Sequence, residues 1–161
     1  MKSYKAPWST SLAIISLLVS LICVGTAIVM LWSGHGLIRW AAVLPLAIIS
    51  GGALFTVRGY TVAQDAIMVH RLFWTTRLPL AGLQSVQFQA NAMHGSIRTF
   101  GNGGLFAFSG WFHNRALGGY RAFVTDPRRT VVLHFPQRVV IVSPAVPKEF
   151  VRDINAMSHA L

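Results

Sequence analysis

The chain has 161 residues, enough for one domain and an accessory segment. It is 53% hydrophobic and only 11% charged, well under the roughly 25% charged residues of a soluble domain, which argues against an ordinary water-soluble protein. Fourteen Lys or Arg against four Asp or Glu give a formal net charge of +10, suited to anionic lipid, nucleic acid or an acidic protein, while the single cysteine, Cys23, excludes an internal disulfide and a cysteine-based zinc site.

No charged side chain lies between Ala6 and Ile38, and Leu12 to Leu31 is a mostly apolar run. As a helix that run is about 30 Å long, the thickness of a bilayer's hydrocarbon core. A second uncharged run, Trp40 to Val57, contains Pro45, Gly51 and Gly52, breakers that membrane helices tolerate better than soluble ones. Two transmembrane helices are expected, over about 10–32 and 38–57, joined by the short connector "SGHGLIR" as a hairpin occupying 1–58. A cleaved signal peptide competes for the first run, because Lys2 and Lys5 form a basic n-region and Gly25 and Ala27 a weak cleavage site. The apolar run continues through "IVMLW", and "SLI" before Cys23 lacks a lipoprotein signal's small residues, so the span is preferred. Lys2 and Lys5 precede it, Arg58, Arg71 and Arg77 follow the second, and the connector offers only Arg39. By the positive-inside rule both termini face the cytoplasm. The expectation is a multi-pass protein of the cell (inner) membrane.

From residue 59 to 161 the period changes. Strands are expected near 60–63, 66–73, 75–79 and 83–89, then at "YRAFVT", "TVVLHF" and "RVVIVS", about seven in all. "TDPRRT" between the fifth and sixth is a turn. Pro147 suits a first helical position and Glu149 complements a helix N-terminus. Val146, Phe150, Ile154 and Met157 form one apolar stripe, so a terminal helix would cap a bent sheet or partial barrel.

Two spans followed by "YTV" at 60–62, "LPLAGLQSV" at 78–86, "GNGGLFAFSGWF" at 101–112, "YRAFVTD" at 120–126 and "VVIVSP" at 139–144 resemble bacterial pleckstrin-homology (PH) domain membrane proteins. The glycine-rich stretch and the ending Ser143, Pro144, Pro147 and Phe150 are the most specific parts. The resemblance implies a helix-capped, seven-stranded PH-like domain that serves as a binding scaffold, and it leaves activity open. Eukaryotic domains of this kind that bind phosphoinositides carry basic residues in the first strand–strand loop. Here that loop is "AQDA", with Asp65 and no basic residue, so a stereospecific phosphoinositide pocket there is not expected.

Chemistry-bearing constellations are sparse. The acids Asp65, Asp126, Glu149 and Asp153 are scattered, with no pair spaced for acid–base hydrolysis. His35, His70, His94, His113, His134 and His159 show no metal-ligand spacing. Gly-x-Ser-x-Gly is absent, and "GNGG" lacks a following Gly-Lys-Ser/Thr. No catalytic residue, metal or cofactor is expected, and nucleic acid is excluded because the basic residues are dispersed.

The stretch from 100 to 120 holds six glycines and six aromatic residues inside a connection of about thirty residues, a length that is usually functional or disordered. Its aromatics oppose disorder. Alternation places Phe106, Phe108 and Phe112 on a core face, with Leu105 and Trp111 outward. A meander would return this loop to the membrane-proximal end. The candidate binding site is therefore Arg98, Gly101, Gly103, Gly104, Leu105, Trp111 and Arg115. The expected function is a non-enzymatic membrane protein whose cytoplasmic domain binds anionic lipid head groups or a membrane or cytoplasmic protein, with homo-oligomerisation open. Two other readings stand beside it: an accessory subunit of a transporter or envelope-stress system acting through its spans, and a lipid- or peptide-modifying enzyme using His94 and His113.

Overall fold

The first strand lies ahead of the first span, where nothing in the sequence suggested one. In a computed structural model that describes residues 1–158, Lys2–Lys5 forms β1 and pairs antiparallel with β2, Gly59–Val62, placing Lys2 opposite Val62 and Lys5 opposite Gly59. Only Tyr4 of β1 is buried, its ring edge-on to Phe150 at 5.1 Å. The Tyr4 hydroxyl donates to Asp153, and the Lys2 ammonium lies 2.8 Å from the same carboxylate. Three side-chain contacts thus hold a strand that has no propensity signal of its own.

The chain then runs along the domain before turning into α1, Thr10–Ser33. The Ser9 amide donates to the Thr125 carbonyl at 3.0 Å, and the Ser9 hydroxyl caps the helix by accepting from the Leu12 amide. Inside α1 the hydroxyls of Thr26 and Ser33 donate to the carbonyls of Ile22 and Val29, which satisfies them without water. The second run is broken into α2, Leu37–Ala41, and α3, Val43–Leu54. Pro45 accounts for the break, since its ring meets the carbonyl four residues back, at Ala41. Two stretches, Thr10–Ser33 and Leu37–Leu54, are long and apolar enough to cross a membrane, and few of their residues are buried.

All seven expected strands are present. They are β2, then β3 (Ala66–His70), β4 (Thr75–Pro79) and β5 (Ser85–Phe88), and later β8 (Gly118–Val124), β9 (Val131–Phe135) and β10 (Arg138–Val142). The strand expected over 66–73 ends at His70, because the Arg71 amide bonds the Trp74 carbonyl and closes a turn. Two further strands, β6 (Ile97–Gly103) and β7 (Phe108–Asn114), make a hairpin of the glycine-aromatic stretch. One sheet has the order β1-β2-β3-β4 and the other β5-β9-β10-β8-β7-β6. β8 and β10 pair parallel and every other pair is antiparallel.

The core fills the space between the sheets, with Tyr60, Ile67, Phe123 and Leu133 fully buried. Helix α4, Pro147–Ser158, closes it with Phe150 and Ile154. Val146 stands exposed ahead of the helix, and Met157 is half-buried on the core. Tyr60 is the central polar group: its hydroxyl donates to the Phe123 carbonyl at 2.5 Å and accepts from the Ser143 amide, and burial pushes its pKa up to about 12. The opposite face of the six-stranded sheet carries a second cluster, Phe112, Tyr120, Ala122, Val124, Val132 and Ile141, covered by Ala92 and Met93. The thirty-residue connection therefore divides into a cover for this cluster and the β6–β7 hairpin.

Candidate functional site

The β6–β7 hairpin is shaped by glycine where the backbones touch. Gly101 and Gly110 face each other across the strands with φ of 107° and 147°, and a Cβ on Gly110 would lie 2.2 Å from the Phe100 carbonyl oxygen. No L side chain fits that approach. At the tip, the Asn102 carboxamide accepts from the Leu105 amide at 3.0 Å and donates to the Leu105 carbonyl. This clamp makes a tight turn that the alternation argument does not capture. It sends Phe106 into the left-handed region at φ 65° and buries Ala107 completely.

The tip docks on the spans. The Phe106 amide donates to the Ser16 hydroxyl of α1 at 2.9 Å, and the Phe106 ring lies 6.0 Å from Trp8. Leu105 packs on α3 at Gly52, where a Cβ would meet its Cδ2 at 2.6 Å. Glycine and aromatics occur together here because the first permits close backbone approach while the second fill the contact with the apolar helices. Phe112 is core as expected and Phe108 packs against the second cluster, while Trp111 is 47% exposed. Phe106 departs from its expected core face because the turn reorients it toward the span.

Between α3 and the hairpin lies a cavity of about 600 Å³, bounded by Ile48, Gly51 and Phe55 on one side and by Phe100, Leu105 and Trp111 on the other. Its polar wall contains three arginines, Arg71, Arg98 and Arg121. The Arg71 guanidinium lies 5.4 Å from the Phe55 ring, 5.5 Å from Trp74 and 5.1 Å from Phe123. Arg121 approaches the Phe123 ring at 4.9 Å and Trp111 at 5.9 Å. Burial, with Arg121 adding like-charge repulsion, pushes the Arg71 pKa down. Among the described residues the ion pairs are Lys2–Asp153, Arg77–Asp65, Arg129–Asp126 and Arg152–Asp153, so no carboxylate faces the cavity arginines.

Of the residues singled out from sequence, Arg98, Gly101, Leu105 and Trp111 line this cavity. Gly103 lies under the Arg98 side chain and on the border of a neighbouring cavity, and Gly104, at φ 121°, shapes the tip. Arg115 sits exposed in the turn after β7, outside the cavity. Arg71, Phe55 and Arg121 were missed, for they lie on three separate elements. The only sequence hint was an arginine beside aromatics in "HRLFW". His94 lines the neighbouring cavity with Phe108 and Phe112, whereas His113 is the next residue of β7 after Phe112 and lies on its other face. The two histidines do not form one site. No group of three metal-ligating side chains occurs among the described residues, and His159 lies outside them.

A family model described as Bacterial PH domain matches residues 58–158. The chain belongs to this family. The match begins at the residue after Val57 and includes both sheets except β1, so the PH domain here gains its edge strand from before the spans. No curated protein and no solved structure matches the chain.

Proposed function

We propose that this bacterial PH domain protein is a non-enzymatic binding module of the cell membrane, carried on two spans with both termini cytoplasmic. Its domain recognises anionic lipid head groups or a protein partner at the bilayer surface. The observation that carries this reading is the pairing of β1 with β2: a span hairpin that leaves a sheet and returns to the same sheet holds the domain against the membrane. The hairpin tip on Ser16 and Gly52 adds a second tether. A fixed, basic domain at the bilayer has a short search to either kind of ligand. The family's generally non-catalytic character supports the absence of enzyme activity.

Topology and depth together test it. Reporter fusions at residue 1 should read cytoplasmic, and a tag within 33–36 external. A spin label at Phe100, in nanodiscs holding the full chain, should show the oxygen accessibility of the bilayer interface, while one at Arg138 should be aqueous. A fully aqueous Phe100 label, or a cytoplasmic connector, overturns the reading.

A further inference from the structure

Arg71 is only 8% exposed, yet its Nε and Nη1 are buried with no hydrogen-bond partner. A buried guanidinium without an anion carries an uncompensated desolvation cost. Here the cost is compounded by Arg121, which flanks the same Phe123 ring from within the same cavity. Stacking on three aromatic rings offsets part of it, but rings cannot accept the in-plane N–H bonds of the guanidinium edge. The arrangement is completed by an anion with several acceptor oxygens, to which arginine forks are matched.

The opposite wall decides which anion. It is built from Ile48, Gly51 and Phe55, at the domain-side end of the second span. A small soluble anion would leave that apolar wall facing water. An amphiphile would fill both parts, with its charge on the arginines and its chain along α3. On the bilayer-held placement proposed above, the end of α3 that meets the domain lies at the depth of lipid head groups, and Gly51, Gly52 and Phe55 of that end line the cavity.

Resting on the bilayer-held placement above, we infer that this cavity binds one anionic phospholipid from the leaflet facing the domain, its phosphate between Arg71 and Arg121 with Arg98 at the rim, and an acyl chain against α3. The site is distinct from the "AQDA" loop between β2 and β3, where Asp65 is paired with Arg77.

Native mass spectrometry of the full chain in mild detergent tests this, with phosphatidylglycerol, phosphatidylcholine or soluble glycerol 3-phosphate added. One phosphatidylglycerol should be retained, at least tenfold more tightly than phosphatidylcholine. Arg71→Gln should abolish that preference; because Arg71 also stacks on the core, Arg121→Gln carries the test if the first variant fails to fold, and should weaken retention at least fivefold. Arg138→Gln removes the same charge at an exposed position outside the cavity and should leave retention unchanged. Equal retention of both lipids, equal loss in Arg138→Gln, or binding of glycerol 3-phosphate as tight as that of the lipid overturns the inference. The Phe100 depth measurement does not depend on this lipid, so a domain at the bilayer that holds no phosphatidylglycerol refutes this site alone.

Discussion

Gly101 and Gly110 show how a single missing Cβ shapes the hairpin. Because each occupies positive φ and abuts the other's backbone, Gly101→Val or Gly110→Val should unpair β6 from β7, seen as faster amide exchange across both strands. Gly103 has ordinary φ, and its nearest neighbour is the flexible Arg98 side chain at 3.0 Å, so Gly103→Ala should be tolerated. The neighbouring aromatics of β7 separate in the same way. Phe112 is buried in the second cluster, and Phe112→Ala should destabilise the protein by about 3–5 kcal/mol in thermal or denaturant unfolding. Trp111 is half-exposed against Arg121, so Trp111→Ala should leave the melting transition near that of the parent while altering the cavity. A Trp111→Ala loss as large as that of Phe112→Ala would show both faces to be core.

At the scale of elements, the hairpin and α3 meet through a gap that only glycine leaves. Gly52→Leu should push Leu105 off the span and expose the Phe106 amide, now bonded to Ser16. Hydrogen exchange of 104–107 should accelerate while β2 to β5 keep their protection. Ser16→Ala removes the acceptor and leaves Phe106 N–H without a partner in a part-buried site, a loss of about 1–3 kcal/mol in local opening free energy. Unchanged exchange in both variants would mean that the tip does not dock on the spans. Phe106, held at positive φ, is the strained residue that this docking supports, at a cost of order 1–3 kcal/mol.

Across the whole molecule, the first strand meets the last helix. The Asp153 carboxylate is held below its ordinary pKa, first by the Lys2 ammonium and then by the Tyr4 hydroxyl, and it joins α4 to β1. A carboxylate with a depressed folded pKa stabilises fully above its unfolded value, about 3.9, and loses that contribution as pH falls through the folded one. Acidification from about pH 4 downward should therefore progressively weaken the link between α4 and β1. Asp153→Asn should flatten the pH profile of the melting temperature in that range, and an unchanged profile would place the acid sensitivity elsewhere. A fragment beginning at residue 58 lacks β1 and the Ser9–Thr125 contact, so it should melt lower than the full chain and is a poor stand-in for it.

Local pattern by itself determined the two apolar helices, seven strands and the capping helix, because each is written in a run of side chains with its own period. "YTV", "TVVLHF" and "RVVIVS" are short β-branched and aromatic runs between turn residues, and Phe150 and Ile154 sit one helical turn apart. It also drew attention to the glycine-aromatic stretch, whose composition suits neither free loop nor plain strand. Only the tertiary structure decided that Lys2–Lys5 is a strand, since "KSYK" gains its shape from Val62, Phe150 and Asp153 far along the chain. The same holds for the cavity. Phe55, Arg71 and Arg121 belong to a span end, a turn and a strand, and their meeting is a property of strand order and helix placement that no local period encodes.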